Sequence, residues 1–142
     1  MKITVRAFQA DDIDRAIEMW KQTDGVLLDQ SDSPDRIRAF LEANEGFSFV
    51  ADDEQDAMVG SILCGHDTRR GYIYHLAVSH GSRRLGIGKV LVSRSLDALA
   101  ANGIHKCHIH VLTTNDLAES FWIGVGRSRH NDILTLSAFT DG

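Results

Sequence analysis

Alternating apolar and polar residues open the chain at Ile3 and Val5 and predict a first strand. The period then changes. Ile13, Ala16, Ile17 and Trp20 recur at helical spacing behind Asp11, which can cap them, and Thr23-Asp24-Gly25 supplies the stop. Ser33-Pro34 places a cap and a first-turn proline ahead of a second helix, with Ile37, Phe40 and Leu41 as its buried stripe and Asn44-Glu45-Gly46 as its end. Strands are predicted over 47–51, 57–65 and 72–78, joined by the acidic turn 52–56 and by 67–71. Loops this short imply an antiparallel meander. Gly88, Leu91, Val92, Ser95, Leu96 and Leu99 are small or apolar at i, i+3, i+4, i+7, i+8 and i+11, and mark a third helix that Asn102-Gly103 should end. A strand over 104–112, a short helix over 116–123 and a closing strand over 133–139 complete the pattern. The strand–helix–strand unit over 72–112 is the one parallel crossover, expected to be right-handed, so the fold class is α/β with a mixed, largely antiparallel sheet.

The chain has 142 residues, 43% hydrophobic and 25% charged, a size and balance that fit one domain, 1–142, with one core. No apolar run approaches a membrane span, and the opening Met-Lys-Ile-Thr-Val-Arg reads as a strand rather than a signal peptide. Cys64 and Cys107 form no metal or redox motif, so a reducing, cytoplasmic setting is expected. A net charge of −5 argues against nucleic acid as a partner, and nothing points to a membrane. An exposed Phe or Leu on the last strand would support a homodimer.

The stretch 72–89 carries the chemistry. It reads as an apolar strand, a polar turn, and a helix that opens on two glycines. A helix start leaves its first amides unpaired at the positive end of the dipole. Gly86 and Gly88 have no side chain to block an incoming group, and Arg83, Arg84 and Lys89 add positive charge, so this is a place to hold phosphate. A Walker A loop would need Ser or Thr after Lys89, where Val90 stands, and a Rossmann fingerprint would need a third glycine at Leu91. Alternatively, the glycines serve only tight packing.

The pattern Arg83-x-x-Gly86-x-Gly88, behind a strand ending Leu76-Ala77-Val78, resembles the coenzyme A signature of the GNAT superfamily of N-acetyltransferases. The order of elements resembles that family over nearly the whole chain. Asn115-x-x-Ala118-x-x-Phe121 is similar to its second diagnostic motif, with two departures: Trp122 replaces a tyrosine and Arg127 replaces a later aromatic.

The resemblance implies a GNAT-like acyl-CoA N-acyltransferase fold and transfer of an acetyl group from acetyl-coenzyme A to a primary amine, with no metal. It implies phosphates on the backbone of Arg84, Leu85, Gly86, Ile87, Gly88 and Lys89, with Arg83 close by. The pantetheine arm would lie between the edge at Leu76, Ala77 and Val78 and a splayed next strand, touching Asn115, Phe121 and Trp122, while an amide near Ala77–Val78 holds the thioester oxygen. Asn115 can equally cap the helix at Asp116.

An alkylammonium titrates near about 10.4, so a base or water relay must take its proton. The family's strand glutamate corresponds to Tyr72 here, and its alternative glutamate, five residues before the motif asparagine, to His110. An imidazole titrates near about 6.5 and suits the task, so His110 is the candidate base or one end of a relay; it can also be an ordinary strand histidine. An indole N–H does not ionise near neutrality, so Trp122 cannot protonate the departing thiolate. The thiolate leaves unassisted, or Tyr74 or water substitutes. These departures keep open an alternative, a non-catalytic acyl-coenzyme A-binding regulatory protein on the same fold. His108 and His110 share one strand face, but no Asp, Glu or Cys spacing supports a metal site there. Asp24, Asp29 and Asp32, in the loop before the second helix, either receive a cationic acceptor or form a solvated acidic loop.

Overall fold

The computed structural model describes residues 2–111 and 115–140, apart from the side chain of Asp116. They divide into two units, Met1–His110 and Val111–Gly142. In the first, β1 (Thr4–Ala7), α1 (Ile13–Lys21), α2 (Pro34–Ala43), β2 (Phe49–Asp52), β3 (Met58–His66), β4 (Gly71–Val78), α3 (Ile87–Ala101) and β5 (Cys107–Ile109) follow in order. The strands form one sheet in sequence order. Pairs β1–β2, β2–β3 and β3–β4 are antiparallel, and β4–β5 is parallel, as the short loops and the single crossover require.

Strand alternation sends the two faces to different helices. On one, Ile13, Ala16, Met19 and Trp20 of α1 and Ile37 of α2 pack with Val50, Leu63 and Ala77. On the other, α3 buries Leu91, Val92 and Leu99. Its Ser95 hydroxyl donates to the Phe47 carbonyl at 2.8 Å, which keeps a polar residue at no cost inside an apolar stripe. Gly60 lets α3 close on β3, since a Cβ there would stand 3.0 Å from Ile87 Cγ2.

Local signals read correctly at most ends. Ser33 accepts the Arg36 amide and Pro34 opens α2. Gly103 follows α3 at φ +78°. Asp11 does not cap α1. A 3-10 turn, Ala10–Asp12, absorbs that position, and Asp12 instead accepts the Gln9 amide and pairs with Arg6 and Arg15. β5 spans three residues rather than nine, and Leu112 lies outside the described residues.

In the second unit, α4 (Asp116–Gly124) starts at Asn115, whose Oδ1 accepts the Ala118 amide at 3.1 Å. It closes through the Arg127 amide on the Trp122 carbonyl, with Gly126 at φ +92°. The closing strand expected over 133–139 does not form. Ile133, Leu134, Leu136 and Phe139 carry strand-like composition, but they are 59–88% exposed and have no ladder partner among the described residues. β-propensity without a neighbouring strand to pair with does not make a strand.

Candidate active site

The site is built where β4 leaves β5. Pairing runs from Gly71 opposite Cys107 to Ile73 opposite Ile109 and stops there. Beyond it, residues 74–78 of β4 remain bound to β3 on one side and have no ladder partner on the other among the described residues. The splay expected of the strand ending at Leu112 falls on residues outside those described.

Two residues past the last pair, β4 carries a bulge. Ser61 pairs with Ala77 and Leu63 with Tyr74, so His75 and Leu76 together face the single Ile62. His75 takes φ +49°. The extra residue lets two successive side chains reach the same layer of helices. The Tyr74 ring meets Phe40 of α2 edge-on at 6.1 Å, and the His75 ring meets Trp20 of α1 at 4.9 Å. Tyr72 stacks on Tyr74 at 6.3 Å, and the rings of His108 and His110 stand 5.7 and 6.5 Å from Tyr72. The two histidines thus share a face, as their spacing predicts. His110 is exposed, 6.4 Å from Tyr74. Burial pushes the Tyr74 phenol up, and Tyr72 and Cys107 add to the effect, so it stays protonated at neutral pH.

After β4 a 3-10 turn, His80–Ser82, leads to Arg83, whose Nε donates to the Val78 carbonyl at 3.4 Å. Arg84 and Gly86 both adopt left-handed backbone, at φ +68° and +78°. The first bond of α3 runs from the Val90 amide to the Gly86 carbonyl at 3.1 Å, which leaves the Ile87, Gly88 and Lys89 amides ahead of it without a helical acceptor. The turn is open: a Cβ on Gly86 would meet nothing within 4 Å, and Arg84, Leu85 and Lys89 are exposed. Ile87 and Gly88 are buried at the start of α3. Free amides, flanking cations and an open approach fit a pyrophosphate. A cleft of about 240 Å³ opens beside it, between Gln22, Thr23 and Asp24 after α1 and Ser79, His80 and Arg83 after β4.

Asn115 caps α4 through its oxygen, and its NH₂ makes no hydrogen bond among the described residues. Trp122 is 7% exposed and meets Phe121 edge-on at 5.3 Å. Of the acidic loop, Asp29 Oδ1 accepts both the amide and the hydroxyl of Ser31, and Asp32 accepts from His75. Asp24 does face open space, in the cleft. The His75–Asp32 contact was not visible in the sequence; its only trace is a histidine inside an otherwise apolar run, His75 between Tyr74 and Leu76.

The sequence matches the acetyltransferase (GNAT) family over residues 13–125. An acetyltransferase of Pectobacterium atrosepticum is 33% identical over 112 residues, 79% of this chain and 78% of its own length. One of Sodalis glossinidius is 30% identical over 132 residues, 93% of this chain and 92% of its own. Among solved structures, the PaiA N-acetyltransferase of Thermoplasma acidophilum, in complex with coenzyme A, has the same fold at TM-score 0.74 and 18% identity, covering 87% of this chain and 88% of that one. The chain belongs to the GNAT acetyltransferase family, and with it to the acyltransferases that draw on acetyl-coenzyme A.

Proposed function

We propose that the protein transfers the acetyl group of acetyl-coenzyme A to a primary amine, on a small molecule or on a protein or peptide, by direct attack. The observation that carries this reading is the open turn at Gly86, with the first α3 amides ahead of the first helical bond, following a β4 whose pairing with β5 ends, among the described residues, at Ile73 and Ile109. Acetyl-coenzyme A supplies an activated thioester. The amides of Ile87, Gly88 and Lys89, with Arg83 and Arg84, hold its phosphates. The edge at Leu76, Ala77 and Val78 takes the pantetheine amides as a further strand would. A backbone N–H near Ala77–Val78 holds the thioester oxygen as charge builds on it.

The acceptor approaches the aromatic face of Phe40, Tyr72 and Tyr74. His110, exposed at the border of that face, serves as one end of the water relay that carries its proton away. The Tyr74 hydroxyl, whose pKa burial raises further, donates a hydrogen bond to the departing sulfur.

The test is thiol release from acetyl-coenzyme A by the full chain with ethanolamine, spermidine and a lysine-containing peptide, beside calorimetry with coenzyme A alone. Release with at least one amine is expected. Trp122 in the place of a tyrosine favours one second reading, a non-catalytic acyl-coenzyme A sensor. Tight binding without turnover on any amine would establish that reading, and no binding at all would remove both.

A further inference from the structure

Asp32 Oδ1 meets His75 Nε2 at 2.6 Å, a contact that spans 43 residues of sequence, with only 12% and 17% of the two side chains exposed. The other Asp32 oxygen already accepts the Asp29 amide at 3.1 Å. A carboxylate set between two partners offers only acceptors, so Nε2 carries the hydrogen and donates it. In the neutral ring the lone pair then sits on Nδ1, which has no hydrogen-bond partner among the described residues. Trp20 supports the ring, and its own indole N–H is fixed on Ser61 Oγ at 2.8 Å. The backbone beneath holds a left-handed conformation that a residue with a Cβ adopts at a cost. Carboxylate, indole and bulge thus fix one tautomer of one ring, two residues past the last β5 pair and two before Ala77.

We infer that His75 is the group that takes the proton from the acceptor ammonium, with Asp32 as its positioning residue. This rests on the acetyl transfer proposed above. His75 Nδ1 accepts one proton from R–NH₃⁺, and the freed amine attacks the thioester carbon. The C–N bond forms, the C–S bond breaks, and the sulfur leaves with the bonding pair. A second proton, from the attacking nitrogen, goes to the thiolate. The proton on His75 passes to solvent, with His110 at the outer end of the relay. The charged groups near the ring are Asp32 and Asp29, both from the turn before α2; hydrogen bonds from Ser31 hold Asp29 below the usual carboxylate range, and His75 adds to this.

The test measures kcat and KM against pH for the full chain, His75→Asn and Asp32→Asn, with the amines named above. Asparagine tolerates left-handed backbone, so the bulge is kept. His75→Asn should lose on the order of 10²–10⁴-fold in kcat, with KM for acetyl-coenzyme A within about twofold. The rising limb of the kcat profile should vanish, leaving a residual rate that climbs steadily with pH. Asp32→Asn should displace that limb rather than remove it. A His75→Asn enzyme that keeps both kcat and the limb overturns the inference and leaves the proposed function standing. Should that variant not fold, an unmoved limb in Asp32→Asn overturns it equally. Failure of the unaltered chain on every amine removes the proposed function and the inference together.

Discussion

Trp20 Nε1 donates a hydrogen bond to Ser61 Oγ at 2.8 Å, and both side chains are wholly buried. The bond ties α1 to the middle of β3, directly opposite the strand that carries His75. Ser61→Ala removes the acceptor and leaves an indole N–H inside the core without a partner. That should destabilise the protein by about 1–3 kcal/mol, read as a lower urea midpoint at unchanged slope. Because the indole also supports the His75 ring, kcat should fall further than folding alone accounts for at temperatures where the variant is fully native. A variant as stable as the parent would mean that water reaches the indole.

Gly71 and Leu99 set the distance between sheet and helix where β4 begins. A Cβ on Gly71 would stand 2.5 Å from Leu99 Cδ1 and 3.0 Å from Cδ2. Leu99 is itself buried, so it has little room to turn away. Gly71→Ala should cost about 1–3 kcal/mol through overpacking. Leu99→Val, which withdraws the clashing methyl, should recover part of that loss. A double-mutant cycle by thermal unfolding measures the coupling, and simple additivity would show that the helix shifts instead.

The turn at Gly86, proposed above to hold phosphate, separates conformation from space. At Gly86 there is free space for a Cβ, so substitution acts only through φ +78°. Gly86→Ala should destabilise by about 1–2 kcal/mol and weaken coenzyme A binding roughly in step. Arg84 already accepts left-handed backbone at φ +68°. Arg84→Gly should therefore leave stability nearly level while lowering coenzyme A affinity and flattening its salt dependence. Calorimetric titration at two ionic strengths checks both. Equal salt dependence in the parent and Arg84→Gly would place that guanidinium away from the phosphates.

How far the sequence carried this picture depends on the range of each interaction. α3 was legible because Leu91, Val92, Ser95 and Leu99 repeat on one face, and each is buried. The glycine turn was legible because its requirement is local. The bulge was not: Tyr72 to Val78 reads as an unbroken strand, and only the β3 register, Ser61 on Ala77 and Leu63 on Tyr74, exposes the extra residue. The His75–Asp32 contact was hidden for the same reason, since Asp32 looks like one of three loop carboxylates until the fold brings the bulge to it. The strand expected over 133–139 failed from the opposite cause. Its composition is right, but among the described residues no strand pairs with it.

Asp12 sets part of the acid sensitivity. It is 3% exposed, and Arg6 and Arg15 reach Oδ1 at 2.8 and 2.9 Å. Burial alone would raise its pKa, but the hydrogen bonds from Arg6, the Gln9 amide and Arg15 outweigh it and hold the carboxylate below its ordinary 3.8. A carboxylate depressed in the folded state contributes stability that is fully present above the unfolded value and is lost as pH falls through the folded one. Stability should therefore be level in this respect above about pH 5 and decline below about pH 4. Asp12→Asn should cost about 1–3 kcal/mol near neutrality. Arg6 is a third exposed and keeps Asp52 at 2.8 Å, which limits the loss. The same variant should show a shallower fall in stability between about pH 5 and pH 3. Parallel slopes in chemical unfolding across that window would assign the acid response to other carboxylates.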